Sequence, residues 1–252
     1  MRLIAALALA CLLVVPARAE VVSVPLPGAS EPTQTFLWEA KAGKKVLIMI
    51  PGGEGHLGLA PGRTSLGGFY GSVLGPLAES ALTSGTTHVV VFDSPYALPV
   101  GTTYPVSRAG ADHLARIESV VRFYKARFGK PVWLMGHSNG AVSVAEFIRR
   151  NPDLVDGAIF SSSRSGVQVA PSVSFPVLFL HHQLDGCAGA DPRSDLRLID
   201  QLRAAGKRNV SFVWLRGGSP EQKSPCASGY HMFFGAEADA FKAIDAFITA
   251  YD

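Results

Sequence analysis

The sequence of 252 residues has little cysteine, little net charge and no apolar run of membrane-spanning length. Three cysteines are too few for a disulfide scaffold. A formal charge of +3 without basic clusters argues against a nucleic-acid partner. No internal repeat, low-complexity tract or long charge block divides the chain. With 48% apolar and 17% charged residues, the sequence predicts a globular protein with one sizeable core.

The first 19 residues differ in character from the rest of the chain. They hold one early cation, Arg2, an apolar stretch from Leu3 to Val15, and the small-residue ending Ala17-Arg18-Ala19. The stretch is shorter than the roughly 20 residues that a membrane-spanning helix needs. The pattern therefore predicts a secretory signal peptide at residues 1–19 that is cleaved from the protein. We expect a secreted or periplasmic protein without a membrane span.

Cleavage of this peptide would change two of the counts. Arg2, Arg18 and Cys11 would leave with it, which reduces the formal charge from +3 to +1. The two remaining cysteines, Cys187 and Cys226, would face an oxidising compartment, where pairing is the expected state. A disulfide between them would close a loop of about 38 residues and stabilise the fold by roughly 4 kcal/mol on the chain-entropy model.

The remaining chain, residues 20–252, is predicted to form a single domain. A Pro-rich stretch separates two short extended segments, Val21–Val24 and Thr35–Glu39, which suit edge strands. Strands then alternate with amphipathic helices, which predicts an α/β fold with a mostly parallel sheet covered on both faces. The predicted strands are Val46–Ile50, His88–Phe92, Val132–Met135, Gly157–Phe160, Val177–Leu180 and Val210–Leu215. The predicted helices are Phe69–Ser84, Leu114–Phe128, Ala141–Arg150, Leu196–Ala205 and Ala236–Tyr251.

The most informative motif is Gly136-His137-Ser138-Asn139-Gly140, a G-x-S-x-G between a predicted strand and a predicted helix. Chance produces such a pentapeptide easily in a chain rich in glycine and serine, so its position in the fold is the stronger argument. A tight strand-to-helix turn needs glycines beside the serine, because side chains there would clash with the neighbouring strand and helix. Ser138 is therefore the candidate nucleophile, and a buried serine in a Gly-rich turn is the alternative.

A serine nucleophile needs a base that takes its proton and a third group that orients the base. In a fold of this kind the partners follow the serine in the order acid, then histidine. Asp185 follows the strand Val177–Leu180, and His231 is the one histidine beyond it, in the loop before the last helix. We therefore assign Asp185 as the acid and His231 as the base. The competing acids are Asp93, Asp153, Asp156, Asp191, Asp195 and Asp200.

Three segments carry a resemblance to a known family: Leu134–Gly140, His181–Asp185 and Gly229–Gly235. They resemble the α/β-hydrolase superfamily, and in particular its small secreted serine hydrolases without a large lid. His182 departs from the pattern, since glycine is usual at that position. The resemblance implies a triad of Ser138, Asp185 and His231, in which the acid orients the imidazole and the histidine moves the proton.

The resemblance also implies two backbone donors for a developing oxyanion. In the family they are the N–H of the residue after the serine, here Asn139, and one from the loop after an early strand. That loop is Pro51–His56, in which Pro51 replaces a histidine that the family often has. Counting from the strand end selects Gly53 as the second donor, and a simple tight turn is the alternative reading of these glycines.

These observations predict a hydrolase that cleaves a small-molecule ester, thioester or amide through an acyl-Ser138 intermediate. An acyltransferase with the same triad and a non-catalytic binding protein of the same fold are the alternatives. We expect a monomer without a cofactor. No metal is expected, because the adjacent His181 and His182 would point to opposite faces of a strand. About 16 residues separate Phe160 from Val177, which leaves little room for a lid and favours short or soluble substrates.

Overall fold

The computed structural model describes residues 19–66, 85–220, 224–227 and 229–251. The predicted helix Phe69–Ser84 and residues 1–18 of the predicted signal peptide lie outside these ranges. The strands of the described chain are β1 (Ala19–Val24), β2 (Thr33–Trp38), β3 (Lys45–Ile50), β4 (Thr87–Asp93), β5 (Val132–His137), β6 (Gly157–Ser161), β7 (Val177–His182) and β8 (Val210–Leu215).

These eight strands form one sheet in the order β1-β2-β4-β3-β5-β6-β7-β8. β1 pairs with β2, and β2 with β4, in antiparallel register. Every other pairing, from β4 across to β8, is parallel. The predicted α/β fold with a mostly parallel sheet is confirmed. Of the two segments expected to be edge strands, β1 lies at the edge of the sheet, whereas β2 lies between β1 and β4. The carboxyl ends of β3 and β5 to β8 therefore lie side by side along the same boundary of the sheet, which we call its carboxyl edge.

Five α-helices lie within the described ranges. β3 shows why the sheet needs helices on both faces: all six of its residues are buried, with Val46, Ile48 and Ile50 in one core cluster and Leu47 and Met49 in the other. Successive strand residues point to opposite faces, so a strand of this composition must be covered on both faces of the sheet. The helices are α1 (Tyr104–Arg108), α2 (Ala111–Phe128), α3 (Asn139–Arg150), α4 (Pro192–Ala204) and α5 (Glu237–Thr249).

The two faces of the sheet carry different helices. Apolar residues of α2, α3 and α4 belong to one core cluster, together with alternate residues of the strands. Apolar residues of α5 belong to the other cluster, on the opposite face. In the described part of the chain, no helix combines the length and the hydropathy that crossing a membrane requires.

Most predicted boundaries agree with the structure to within a few residues, and the differences have local causes. α4 begins at Pro192 and not at Leu196, because the Asp191 side chain caps it by accepting a hydrogen bond from the N–H of Arg193 at 3.0 Å. β7 extends to His182, so Asp185 follows the strand by three residues. The short helix α1 was not predicted from the sequence.

Candidate active site

Ser138 lies at the turn between β5 and α3, at the carboxyl edge of the sheet. Its φ of 53° and ψ of −120° are strained for a residue with a side chain. Its N–H donates to the carbonyl of Ser161 at 3.0 Å, which ties the turn to the end of β6. A non-glycine residue persists in such a conformation only where the surrounding structure holds it there.

The glycines that flank this turn leave no space for a side chain. A Cβ on Gly136 would lie 2.5 Å from the carbonyl oxygen of Gly140, and one on Gly140 would lie 2.1 Å from that of Ile50. Gly52, in the loop after β3, is also too close for a side chain, because its Cβ would lie 2.9 Å from the Cβ of Ser138. The turn therefore requires glycine for the steric reason that the sequence motif predicts.

Asp185 and His231 are brought together from two loops at the same edge. Oδ2 of Asp185 lies 2.8 Å from Nδ1 of His231, and both side chains are fully buried. Burial alone would raise the pKa of the Asp185 carboxyl, but hydrogen bonds from His181 and His231 outweigh it and hold that pKa well below its usual range. Nε2 of His231 is buried and has no hydrogen-bond partner among the described residues. The imidazole is thus fixed at one nitrogen and leaves the other available.

A run of three buried serines that begins with the last residue of β6 holds parts of the site, and no sequence motif marks it. Ser161 Oγ lies 3.0 Å from Nδ1 of His137, the residue before the candidate nucleophile. Ser162 Oγ donates to the backbone carbonyl of His231 at 2.9 Å. Ser163 Oγ donates to Oδ1 of Asp195 at 2.5 Å. Because Ser138 and His231 both bind this run, it fixes the two candidate catalytic residues relative to each other.

Arg108, at the end of α1, organises the loop that carries the predicted oxyanion donor. Its Nη1 donates to the carbonyl of Pro51 at 2.9 Å, and its Nη2 donates to the carbonyls of Gly52 and Gly53 at 3.3 and 2.8 Å. The side-chain amide of Asn139 also donates to the Gly53 carbonyl, at 3.2 Å. Three consecutive carbonyls are therefore turned toward one buried guanidinium, which fixes the peptide planes of the loop.

Asp93, which the sequence offered as a competing acid, holds the far end of this loop. Its two carboxylate oxygens accept hydrogen bonds from the backbone N–H groups of Leu57 and Leu59 at 2.5 and 2.7 Å. Burial raises the pKa of Asp93, and these two backbone hydrogen bonds oppose the increase. The Asp93 side chain is thus 2% exposed and occupied by backbone donors of the loop after β3. It lies at the end of β4, whereas Asp185 lies in the loop after β7.

The paired histidines at the end of β7 do point to opposite sides, as the strand pattern predicts. Nε2 of His182 lies 2.9 Å from the carbonyl oxygen of Gly217, and its ring stacks on Tyr230. His181 faces the acids: its Nε2 lies 2.8 Å from Oδ2 of Asp185 and its Nδ1 lies 2.9 Å from Oδ2 of Asp195. From the sequence alone, Asp195 is only one of the acids that compete with Asp185.

The structure contains the Cys187–Cys226 disulfide, with Cα atoms 4.5 Å apart. The bridge joins the loop that follows Asp185 to the segment that precedes His231. Cys187 also contacts the acid directly, because its backbone N–H donates to Oδ1 of Asp185 at 2.9 Å. The half-cystine therefore binds the carboxylate oxygen that the histidines leave free.

No family model matches the sequence, and no curated protein matches it either. Solved structures do match. The lidless α/β serine hydrolase of Xanthomonas campestris is 14% identical, with a TM-score of 0.61 over 94% of this chain and 96% of that one. Est1E of Butyrivibrio proteoclasticus is 15% identical, with a TM-score of 0.60 over 91% and 99% of the two chains. The dienelactone hydrolase of Anabaena variabilis is 12% identical, with a TM-score of 0.64 over 93% and 98%.

These matches extend over nearly the full length of both partners, at identities too low to transfer an activity. They show that the chain has the fold of the α/β hydrolases. The resemblance drawn from the three sequence segments is confirmed at this level.

Proposed function

We propose that this protein is a serine hydrolase that cleaves a carboxylic ester, thioester or amide through an acyl-Ser138 intermediate. The observation that carries the proposal is the buried Asp185–His231 pair, which leaves Nε2 of the imidazole without a partner at the sheet edge where Ser138 is held. The fold supports it, since the structural neighbours are serine hydrolases and esterases.

In the proposed reaction Oγ of Ser138 attacks the acyl carbon while His231 accepts the proton of the Ser138 hydroxyl. The same nitrogen then donates that proton to the leaving group, and the acyl-serine forms. In the second half, water gives a proton to His231 and attacks the acyl carbon. The bond between that carbon and Oγ of Ser138 then breaks, His231 returns the proton to Oγ, and the carboxylic acid is released. Asp185 keeps Nδ1 protonated and stabilises the imidazolium that forms in each half.

Two backbone N–H groups are proposed to stabilise the oxyanion. Asn139 is the first residue of α3, so its N–H has no partner within the helix and lies at the positive end of the helix dipole. Gly53 would supply the second donor from the loop that Arg108 holds by its carbonyls. Such donors act without reorganisation, because the fold orients them before the charge develops.

The connection between β6 and β7 supports a site without a lid on this side. It contains no helix, and Val167, Val169, Val173 and Phe175 pack into the core. We therefore propose short or soluble acyl substrates. We also propose export by the signal peptide at residues 1–19, with which the disulfide is compatible, and action as a monomer.

An active-site-directed fluorophosphonate tests the proposal directly. The probe should label the purified protein once, and labelling should disappear in Ser138→Ala but persist in Ser172→Ala, which removes an exposed serine elsewhere. Hydrolysis of a series of p-nitrophenyl esters of increasing acyl length should stop in Ser138→Ala alone. Persistence of labelling and hydrolysis in Ser138→Ala would refute the proposal. Ester formation in the presence of an added alcohol would identify a transferase.

A further inference from the structure

His181 lies between two buried carboxylates and is itself completely buried. Each of its ring nitrogens is within hydrogen-bond distance of a carboxylate oxygen, Asp185 on one side and Asp195 on the other. An ionised carboxylate accepts hydrogen bonds and cannot donate them, whereas a neutral imidazole has a single N–H. Both contacts are satisfied together only when both ring nitrogens carry protons.

We propose that His181 is a buried imidazolium that positions Asp185 and balances its charge. A simple triad has an isolated acid–base pair. Here the pair is the end of a hydrogen-bonded chain of five residues: Ser163, Asp195, His181, Asp185 and His231. This inference rests on the proposed function, in which Asp185 orients His231. His181 does not touch the reacting atoms, and it acts as a positioning residue through Asp185.

The charges around His181 favour its protonated form. Asp185 faces it from the loop after β7 and Asp195 from the first turn of α4. Within the described part of the chain, the imidazoles of His137 and His182 also lie near it, and that of His231 shares Oδ2 of Asp185 with it. A neutral His181 would leave two buried carboxylates close together with a combined charge of −2, which is costly away from water. The protonated ring reduces the charge of the trio to −1, the charge of a single triad acid.

The balance of burial and pairing agrees with this charge state. Burial alone favours the neutral ring, but the hydrogen bonds and negative charges of Asp185 and Asp195 outweigh it and raise the pKa of His181 to about 9. Asp195 is itself held in place by Ser163 and lies at the positive end of the α4 dipole. The fold therefore holds the second carboxylate, that of Asp195, in a fixed position beside His181.

The contact has a consequence for the base. His181 and His231 donate to the same oxygen of Asp185, Oδ2, while its Oδ1 accepts from the N–H of Cys187. The acid thus has three donors and a single orientation. We therefore expect His181 to fix the orientation of Asp185 and, through it, the orientation of the His231 ring.

The charge state can be measured without any assay of activity. In the full-length protein with ¹⁵N-labelled histidine, NMR at about pH 7 should show protons on both Nδ1 and Nε2 of His181. In Asp195→Asn the amide oxygen can still accept a hydrogen bond but the charge is lost, so the titration midpoint of His181 should fall by about one pH unit or more. A neutral His181 in the wild-type protein at pH 7 would overturn the proposal.

The effect on the base is tested by His181→Gln, with His182→Gln as the matched control from the same strand end. We expect kcat to fall by about tenfold or more with little change in KM in His181→Gln, and to match the wild type in His182→Gln. A folded His181→Gln protein with wild-type kcat would contradict the proposal. The two proposals can fail separately. If the protein is not a serine hydrolase, the probe will not label Ser138, but the NMR result for His181 will be unaffected.

Discussion

Nδ1 of His231 and Oδ2 of Asp185 lie 2.8 Å apart although the two residues are 46 positions apart in the sequence. The two residues come from different loops, and a separate hydrogen bond holds each of them. Ser162 binds the backbone of His231, and the N–H of Cys187 binds Oδ1 of Asp185. The pair is therefore positioned before any substrate arrives, which is the state that general-base catalysis requires.

Replacement of Asp185 by asparagine should remove this function while it preserves the shape of the site. The amide of the new side chain would present a donor where the carboxylate accepts, so His231 would adopt the wrong tautomer. We expect kcat for a p-nitrophenyl ester to fall by about 10³- to 10⁴-fold with a small change in KM. Asp153→Asn, at an exposed position in a short 3-10 helix, is the control and should match the wild type. An Asp185→Asn protein that keeps a tenth or more of wild-type kcat would contradict the assignment.

The glycine pair around Ser138 predicts a severe effect on stability. Gly140→Ala would place a Cβ 2.1 Å from the Ile50 carbonyl, so β3 and α3 would have to move apart. We expect a loss of about 3 kcal/mol or more in the free energy of unfolding in urea, or no soluble protein at all. Gly186→Ala is the matched control, because nothing lies within 4 Å of its added Cβ. Equal stability of the two variants would show that the turn relaxes more easily than its geometry indicates.

Elements that depend on local pattern were predictable from the sequence. The alternation of apolar residues defines β3, and a strand–G-x-S-x-G–helix order defines the turn at Ser138. The order of acid and histidine along the chain selected Asp185 and His231, which the structure places together. These features follow from spacing within one segment or from the order of segments in a parallel sheet.

Elements that depend on packing between distant segments were not predictable. His181 and Asp195 are 14 residues apart, and Ser163 and Asp195 are 32 apart, so no local pattern links them. Arg108 lies in a five-residue helix that has no periodic signal of its own, and it meets the loop after β3 only in the folded chain. The three consecutive serines that begin with the last residue of β6 have the sequence of an ordinary polar loop, and only the folded chain shows their separate partners.

Arg108 provides a test of the loop that carries the proposed oxyanion donor. Arg108→Met keeps much of the side-chain volume and removes the donors to the carbonyls of Pro51, Gly52 and Gly53. If Gly53 then moves out of place, kcat should fall by about 10²- to 10³-fold, the usual effect of losing one oxyanion donor. KM should change much less.

Two controls separate this effect from general damage. Arg149→Met removes an exposed arginine from α3 and should leave kcat unchanged. Near-ultraviolet circular dichroism should confirm that Arg108→Met is folded. A folded Arg108→Met protein with wild-type kcat would show that the loop does not need its guanidinium.

The disulfide should contribute to stability more than to chemistry. It closes a separation of 39 residues, so the chain-entropy model predicts that Cys187→Ser/Cys226→Ser loses about 4 kcal/mol in the free energy of unfolding. The N–H of residue 187 can still bind Asp185 in that variant, so kcat should fall by less than about tenfold at temperatures where the protein is folded. Unfolding in urea, with the wild type under dithiothreitol as the comparison, measures the stability, and hydrolysis of a p-nitrophenyl ester measures kcat. Equal stability with and without the bridge would contradict this prediction.

The charge on His181 predicts a loss of stability at alkaline pH. A group whose pKa is raised in the folded state stabilises the fold fully below its unfolded pKa, and the contribution is lost as the pH rises through the folded value. For His181 these limits are 6.5 and about 9. The advantage of the wild type over His181→Gln in the free energy of unfolding should therefore shrink by up to about 3 kcal/mol between pH 6 and pH 9.5. Urea titrations of both proteins across this range measure the difference, in which titrating groups that do not interact with His181 cancel. Stability curves that run parallel from pH 6 to pH 9.5 would mean that His181 is not charged in the folded protein.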